Sequence, residues 1–129
     1  MPLAKWATMG HAGLVIPTLN AGARWELCLA AIAQQSLQPF RFLIIDSAST
    51  DDTAAQARSR GIEVIEIART QFNHGGTRQW AVEYLTDCEV VIFLTQDAIL
   101  ATSDSLSEIV KCFDDPRVAV AYGRQLPHK

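Results

Sequence analysis

Two aspartates of this 129-residue chain stand where a carboxylate could do chemistry, because each follows an apolar run. Asp46, after the run 42–45, could accept hydrogen bonds from a ring N–H or a ribose hydroxyl. Asp97, after the run 90–94, could hold Mg²⁺ or Mn²⁺, which often take one or two carboxylates and complete their shell with phosphates and water. Either aspartate could instead be a turn carboxylate that caps backbone N–H groups. We interpret Asp51 and Asp52 as helix caps, since the helix dipole favours acids there.

A third candidate is the segment 73–78, which reads Asn-His-Gly-Gly-Thr-Arg. It combines a glycine pair, the predicted start of a helix and the guanidinium of Arg78, which together could cradle a diphosphate. His74 could orient a sugar or a phosphate, although a single loop histidine is more often a surface group.

Apolar runs and helical patterns alternate along the chain and predict the elements that carry these residues. The predicted strands cover 12–16, 42–45, 62–67, 90–94 and 118–122, the third nearer a sheet edge and the fourth the most buried. Helices are expected after Asn20, after a Ser49–Asp52 capping box and after Gly75–Gly76, and a last one ends before Pro116. This order indicates an α/β fold with a mostly parallel sheet and helices on both faces. Ligands of such sheets bind beyond the carboxyl ends of the strands.

Composition and turn chemistry exclude several classes of function. A net charge of −3 with scattered Lys and Arg gives no electrostatic footprint for nucleic acid. Only one glycine, Gly22, follows the first strand, which disfavours an NAD-type Rossmann enzyme, and a Walker phosphate loop is absent. A phospho-acceptor signalling domain would need an acidic pair after the first strand, where this chain has Thr18-Leu19.

Hydropathy and cysteine usage indicate a cytoplasmic location. The sequence shows no transmembrane segment or signal peptide. Cys28, Cys88 and Cys112 are far apart and odd in number, so we expect reduced, mostly buried thiols. Trp25 and Trp80 lie at helical positions and are expected in the core.

The motifs taken in order resemble the family 2 glycosyltransferases of the GT-A fold. The matching segments are 15–20 (Val-Ile-Pro-Thr-Leu-Asn), 45–51 (Ile-Asp-Ser-Ala-Ser-Thr-Asp) and 94–98 (Leu-Thr-Gln-Asp-Ala). Segments 72–78, 95–98 and 122–127 are similar to the rhamnosyltransferase-related branch of that family. The resemblance implies a Rossmann-like nucleotide-diphospho-sugar transferase fold, of which this chain is the N-terminal half.

Site residues follow from the resemblance position by position. Asp46 would receive the base N–H of a uridine- or thymidine-type nucleotide, Arg78 would lie near the diphosphate, and Asp97 would hold the divalent cation (Mg²⁺ or Mn²⁺). Thr95 stands where the first acid of the metal motif is usual, and Ser47 where the second acid of an Asp-Asp pair is usual. The full set expected to bind the nucleotide sugar is Pro17, Thr18, Asn20, Asp46, Ser47, His74, Gly75, Arg78, Gln96 and Asp97.

The function implied is inverting transfer of a sugar, with rhamnose favoured, from a nucleoside diphosphate sugar to a glycan or lipid-linked acceptor in polysaccharide biosynthesis. In this family the general base comes from a second half, so no catalytic residue is assigned in this chain. We expect the chain alone to be an inactive donor-binding portion, either a natural fragment or a piece of a longer protein. The alternative is a non-catalytic nucleotide-sugar-binding or interaction module with the same fold.

Domain limits and partners complete the expectations. Residues 1–11 are expected to form an N-terminal extension and residues 12–129 a truncated nucleotide-sugar-binding domain. Apolar surface meant for a missing half would favour a homo-oligomer. We also expect the protein in the cytoplasm, at the inner face of the membrane.

Overall fold

The computed structural model describes residues 11–128, so all but one residue of the predicted extension 1–11 lie outside the described part. Its strands are β1 (Ala12–Thr18), β2 (Arg41–Asp46), β3 (Glu63–Glu66) and β4 (Val90–Phe93). Its α-helices are α1 (Arg24–Ala33), α2 (Thr53–Ser59), α3 (His74–Tyr84) and α4 (Ser105–Lys111). Short 3₁₀ turns cover Arg69–Gln71 and Cys112–Asp114.

The four strands form one parallel sheet in the order β3-β2-β1-β4. β1 pairs with β2 as far as Thr18 opposite Asp46, and with β4 from Ala12 opposite Val90 to Val15 opposite Phe93. β3 pairs only with β2 and lies at the edge, as predicted. Because every strand runs the same way, the loops that follow β1, β2 and β4 meet at one edge of the sheet.

Helices cover both faces of the sheet, which confirms the predicted α/β architecture. Successive side chains of a strand point to opposite faces, so Leu14 and Val15 enter different cores. Leu14 packs in a cluster with the buried faces of α1 and α4, whereas Val15 packs in a second cluster with Ala81 and Leu85 beside α3. A sheet covered on both faces explains the continuous apolar runs of β1 and β2.

The predicted fifth strand at 118–122 is wrong for the described residues. The backbone there forms no strand, and Val120 and Tyr122 are 80% and 91% exposed. Its residue types favour strands, but a strand also needs a neighbour to pair with, and none pairs here. The prediction that 90–94 is the most buried strand is also wrong, because β4 has one neighbour, β1, in the described sheet and most of its residues are half-buried.

Three helix starts differ from those predicted. Asn20 does not cap α1, which begins after Ala23 without a side-chain cap. The Ser49–Asp52 capping box does not form, and Asp51 instead accepts a hydrogen bond from the backbone N–H of Thr53 at 3.0 Å. The prediction for Asp51 as a cap is therefore confirmed, while the side chain of Asp52 caps no backbone group.

The glycine pair does not precede α3 but lies in its first turn. Asn73 caps this helix, since its Oδ1 accepts a hydrogen bond from the N–H of Gly76 at 2.7 Å. α2 ends as predicted at Gly61, whose φ of +75° is left-handed and suits a residue without a Cβ.

The two tryptophans have different environments. Trp25 is buried as expected, and its indole Nε1–H donates to the backbone carbonyl of Thr53 at 3.0 Å. The prediction that Trp80 lies in the core is wrong, because it is 42% exposed and stacks on Tyr84 with ring centroids 4.9 Å apart.

The cysteines are all free, but only Cys28 is buried, whereas Cys88 is half-buried and Cys112 is exposed. The expectation of mostly buried thiols therefore holds for Cys28 alone. No helix within residues 11–128 is long and apolar enough to cross a membrane.

Candidate functional site

Asp46 is the centre of the hydrogen bonds at the carboxyl ends of β1 and β2. Its carboxylate is fully buried, and Oδ1 accepts hydrogen bonds from the hydroxyls of Thr18 and Ser49, both at 2.6 Å. Oδ2 accepts the backbone N–H of Ser49 at 2.9 Å. Hydrogen bonds to a charged acceptor are among the stronger ones in proteins. Asp46 therefore fastens the loop after β2 to the end of β1, the structural alternative that the sequence left open.

Asn20 fastens the same two loops on their exposed side. Its side-chain Oδ1 accepts the backbone N–H of Thr50 at 2.8 Å and of Asp51 at 3.3 Å, and its own N–H donates to the hydroxyl of Ser49 at 2.8 Å. The backbone N–H of Ser47 adds a bond to the carbonyl of Thr18 at 2.9 Å. The loops after β1 and β2 thus form one cross-linked unit.

Backbone strain is concentrated in these loops. Asn20 and Ala48 have φ values of +45° and +56°, and they are the non-glycine residues with positive φ in the described chain. Asparagine tolerates this region, but alanine rarely adopts it. Such strain persists only where the surrounding contacts enforce it, and it is often found at functional sites.

Gln96 connects the loop after β4 to the loop after β1. Its amide forms two bonds with the backbone of Leu19: Oε1 accepts the N–H at 2.8 Å, and Nε2 donates to the carbonyl at 3.2 Å. This two-point contact fixes the turn that carries Thr95 and Asp97, so the turn is held against the unit formed by the first two loops.

Asp97 is exposed, and its carboxylate has no hydrogen-bond partner among residues 11–128. It borders an open cleft together with Ala21, Ala23, Arg24 and Gln96. Burial, with a smaller effect of the negative charge of Asp97, raises the pKa of the Cys28 thiol to about 11.

The fit of a divalent cation can be judged from these donors. Among the described residues no group of three or more His, Cys, Asp or Glu side chains could hold a metal ion by itself. Asp97 supplies one free carboxylate and Thr95 supplies none. One carboxylate fits Mg²⁺ or Mn²⁺ when substrate phosphates and water complete the shell.

The residues predicted on α3 are not bonded to this network. The guanidinium of Arg78 donates to the backbone carbonyl of His74 at 2.9 Å, and the imidazole of His74 lies edge-on to Phe72 with centroids 4.9 Å apart. Gly75 is exposed in the first turn of the helix. The nearest connection comes from Arg69, whose guanidinium donates to the carbonyl of Ala48 at 3.4 Å.

The structure thus brings together Thr18, Asn20, Asp46, Ser47 and Gln96 by hydrogen bonds, with Asp97 beside them. His74, Gly75 and Arg78 stand apart on α3, and Pro17 is half-buried within β1 opposite Ile45.

Sequence reasoning missed Ser49, Arg69 and His128. Ser49 and Arg69 lie in the loops after β2 and β3, so the strand-end rule that selected Asp46 could have found them. His128 lies with its Nε2 3.0 Å from the backbone carbonyl oxygen of Asp97, and no sequence signal places it there.

Fold and site together define a Rossmann-like α/β unit whose polar side chains gather beyond the carboxyl ends of β2, β1 and β4. The sequence model of the family described as "Glycosyl transferase family 2" matches residues 14–129. The chain therefore belongs to this family of glycosyltransferases, as the resemblance implied.

Two curated relatives are similar to most of the chain. This chain is 50% identical over 117 residues to the O-antigen chain rhamnosyltransferase RfbN of Salmonella typhimurium. The match covers 90% of this chain and 37% of that protein. It is 47% identical over 116 residues to the O-antigen chain rhamnosyltransferase WbaN of Salmonella anatum, with coverage of 89% and 37%. The chain thus spans little more than a third of the length of these relatives.

A solved structure supports the GT-A type of fold. The mannosyltransferase PcManGT from Pyrobaculum calidifontis, in complex with GDP-Man and Mn²⁺, matches with a TM-score of 0.69 and 22% identity. The match covers 91% of this chain and 41% of that one.

Proposed function

We propose that this chain binds the nucleoside diphosphate sugar in an inverting rhamnosyltransferase that builds a polysaccharide. The observation that carries the proposal is the free, exposed carboxylate of Asp97 beside loops that Asp46, Asn20 and Gln96 hold in place. Preorganised loops favour binding because less freedom is lost when the ligand arrives. The rhamnosyltransferases at about half identity support the choice of sugar.

The nucleoside is proposed to lie against the loops after β1 and β2, lined by Pro17, Thr18, Asn20 and Ser47, with thymidine or uridine as the base. Asp46 would act first by holding these loops. Its Oδ2 accepts one hydrogen bond and has capacity for another, but the carboxylate is fully buried. A base N–H could therefore reach Asp46 only if the loop around Ala48 moved.

The diphosphate is proposed to lie between Asp97 and the start of α3. Asp97 would hold Mg²⁺ or Mn²⁺, and Gln96 would position it through its contact with Leu19. The α3 start offers backbone N–H groups and the guanidinium of Arg78, and His74 and Gly75 border the same turn. Arg78 would have to leave the carbonyl of His74 to reach a phosphate, which one rotation of a long side chain allows.

The reaction follows from these charges. An acceptor hydroxyl on a glycan or lipid-linked glycan attacks the anomeric carbon on the side opposite the diphosphate. The new carbon–oxygen bond forms as the bond to phosphate breaks, and the electron pair leaves with the nucleoside diphosphate. Arg78 would neutralise charge on this leaving group, and a divalent cation held by Asp97 would supply the same stabilisation. The hydroxyl proton goes to a base outside the residues assigned here.

The second candidate function is a binding module without catalysis. It is favoured by the contacts and roles of the aspartate side chains in these loops. Of the aspartates in these loops, Asp46 and Asp51 are already hydrogen-bonded, and Asp97 is assigned to the cation. If Asp97 holds the cation, none of these three carboxylates is left to accept a proton from an acceptor hydroxyl.

Calorimetry tests the proposed donor site. We expect thymidine or uridine diphosphate to bind in the presence of Mn²⁺, and Asp97→Asn to weaken this binding about tenfold, which equals about 1.4 kcal/mol. Asp114→Asn is the matched control, since Asp114 is an exposed aspartate in the 3₁₀ turn after α4. No binding heat in the parent chain, or equal affinity in the parent and Asp97→Asn, would refute the donor site.

A further inference from the structure

The outer surface of α3 carries two stacked aromatic side chains. Trp80 and Tyr84 lie one helical turn apart, and their rings stack at an angle of 15° with centroids 4.9 Å apart. The two residues are 42% and 39% exposed, whereas Ala81 of the same helix is buried. Large aromatic rings contribute most when they are removed from water, so an exposed pair is a candidate contact surface.

Polar groups at the starts of β2 and β3 fix the ring of Tyr84. Its hydroxyl donates to the carboxylate of Glu63, and the guanidinium of Arg41 lies 5.4 Å from the ring centroid. Arg41 in turn bonds to Glu63 at 2.8 Å and to Asp87 at 3.1 Å. The stacked pair is therefore held in one arrangement before a ligand arrives, which reduces the freedom lost on binding.

Trp80 has a donor that the described part of the chain does not use. Its indole Nε1–H forms no hydrogen bond within residues 11–128, whereas that of Trp25 donates to the carbonyl of Thr53. Glu83 follows Trp80 at the i+3 position and thus lies beside it on the helix surface. Its Oε1 accepts from Gln79 at 3.0 Å, and its Oε2 has no partner in the same range. An exposed ring, an N–H donor and a carboxylate acceptor are thereby brought together.

We propose that Trp80 and Tyr84 form an aromatic platform that binds the sugar rings of a glycan. A pyranose ring has a face of C–H groups, which packs on an aromatic ring, and hydroxyls at its edge, which form hydrogen bonds. One sugar would lie on the exposed face of Trp80, with hydroxyls bonded to the indole N–H and to Glu83. The choice of this ligand rests on the proposed function, because that function includes a glycan acceptor.

The charges around the platform favour a neutral ligand. The carboxylates near the two rings are those of Glu63, Glu83 and Asp87. Arg41 supplies one positive charge against these three negative charges, which leaves a formal charge of −2. Such a surface repels the phosphates of nucleic acids and of anionic lipids. The cores of protein–protein interfaces are depleted of charged residues, whereas sugar hydroxyls accept and donate to carboxylates and guanidinium groups.

The platform lies on the helix whose start is proposed to bind the diphosphate. Since an α-helix rises 1.5 Å per residue, Trp80 is about 9 Å along the axis from His74. Gly76 lies one turn before Trp80 on the same side of α3 and has no side chain to separate the platform from that start. A glycan held by one part of its chain on the platform would keep its end at a raised concentration near the donor sugar.

Calorimetry with a rhamnose-containing oligosaccharide, without nucleotide or cation, tests the platform on the whole chain. We expect Trp80→Ala to weaken binding about tenfold, because the sugar loses both the aromatic face and the N–H donor. Trp80→Phe should weaken it less, since phenylalanine keeps a flat ring. Phe40→Ala is the matched control, because Phe40 is also aromatic and 50% exposed but packs on His11.

Nuclear magnetic resonance detects the contact itself. We expect nuclear Overhauser effects between the C–H protons of the sugar and the indole protons of Trp80. The buried indole of Trp25 should show none and serves as an internal control. Circular dichroism checks that each variant is folded.

The outcomes separate this proposal from the donor site. If the parent chain binds no oligosaccharide, or if Trp80→Ala binds it as tightly as the parent, the platform is refuted and the donor site stands on its own nucleotide calorimetry. Asp97→Asn should keep the parental affinity for the oligosaccharide even where it loses the nucleotide.

Other partners would give different results. If Trp80→Ala leaves the oligosaccharide affinity unchanged but abolishes binding to vesicles of anionic phospholipid, the pair contacts a membrane. If it instead dissociates a dimer seen by light scattering, the pair contacts a second copy of the chain. Either result overturns the proposal of a glycan site.

Discussion

Replacing the buried carboxylate of Asp46 by an amide tests whether this residue holds the site together. Asp46→Asn keeps the size of the side chain but turns one acceptor oxygen into an NH₂ donor. If the amide oxygen takes the place of Oδ1, it still accepts from the hydroxyls of Thr18 and Ser49. The NH₂ group then faces the backbone N–H of Ser49, and two donors meet where one bond was formed.

The size of the effect follows from these bonds. A buried donor left without a partner costs about 1–3 kcal/mol, and a hydrogen bond to a charged group contributes roughly 1.5–3 kcal/mol, part of which is lost with the charge. We therefore expect Asp46→Asn to lower the free energy of unfolding by about 2–4 kcal/mol. Since a domain of this size is stable by about 5–15 kcal/mol, the variant should still fold.

Urea unfolding followed by circular dichroism measures this difference. The matched control is Asp87→Asn, which removes an exposed carboxylate paired with Arg41 at 3.1 Å and should cost no more than about 1 kcal/mol. Thr18→Val, which removes a single bond to Asp46, should cost about 1.5 kcal/mol. The double variant of Asp46 and Thr18 should cost less than the sum of the two, because Thr18→Val removes the same hydrogen bond that Asp46→Asn weakens by removing the charge of its acceptor.

Equal stability of Asp46→Asn and Asp87→Asn would refute the reasoning. It would mean that the buried bonds of Asp46 do not fasten the loops, and that the carboxylate is free to serve a ligand instead. A loss of nucleotide binding at unchanged stability would lead to the same conclusion, and would favour direct contact of Asp46 with a base.

Two more predictions concern titrating groups. Although burial raises the pKa of Glu63, hydrogen bonds from Arg41 and Tyr84 outweigh it and hold the pKa below its usual value. This stabilisation should be present above the pKa of unfolded Glu and fall as pH drops through the lower folded pKa, so Glu63→Gln should flatten the acid side of the stability–pH curve. For the thiols, an alkylating reagent should modify Cys112 first, and Cys28 only on unfolding, because Cys28 is buried and burial first, then the charge of Asp97, raises its pKa to about 11. Mass spectrometry checks the order, and early labelling of Cys28 would contradict its packing.

The elements that could be predicted from sequence are those whose signal is local. β1 and β2 show continuous apolar runs, and an apolar run covered on both faces is a property of the segment itself. The segment 118–122 has the same signal, but a strand exists only when a second backbone pairs with it. Pairing depends on distant residues, and for this reason the prediction of a fifth strand is wrong.

The candidate site also has features that follow from local sequence and features that depend on distant residues. Position at a strand end selects Asp46, Gln96 and Asp97, and the structure places all three at one edge of the sheet, because parallel strands bring their carboxyl ends together. Partners could not be predicted, since an asparagine can cap a helix or bridge two loops with the same Oδ1. Asn20 bridges loops and does not cap, and the contact of His128 with Asp97 depends on the path of a segment without regular structure.

The left-handed alanine explains why so many bonds converge on one loop. Ala48 at φ +56° is disfavoured, and left-handed backbone costs roughly 1–2 kcal/mol per residue for side chains with a Cβ. The bonds of Asp46 on one side of the loop and of Asn20 on the other are what can offset this cost. A loop held in a strained form by these bonds keeps the same shape with and without a ligand. The strained backbone of Ala48 and the buried bonds of Asp46 therefore act together. Either one without the other would leave the loop after β2 without a fixed surface.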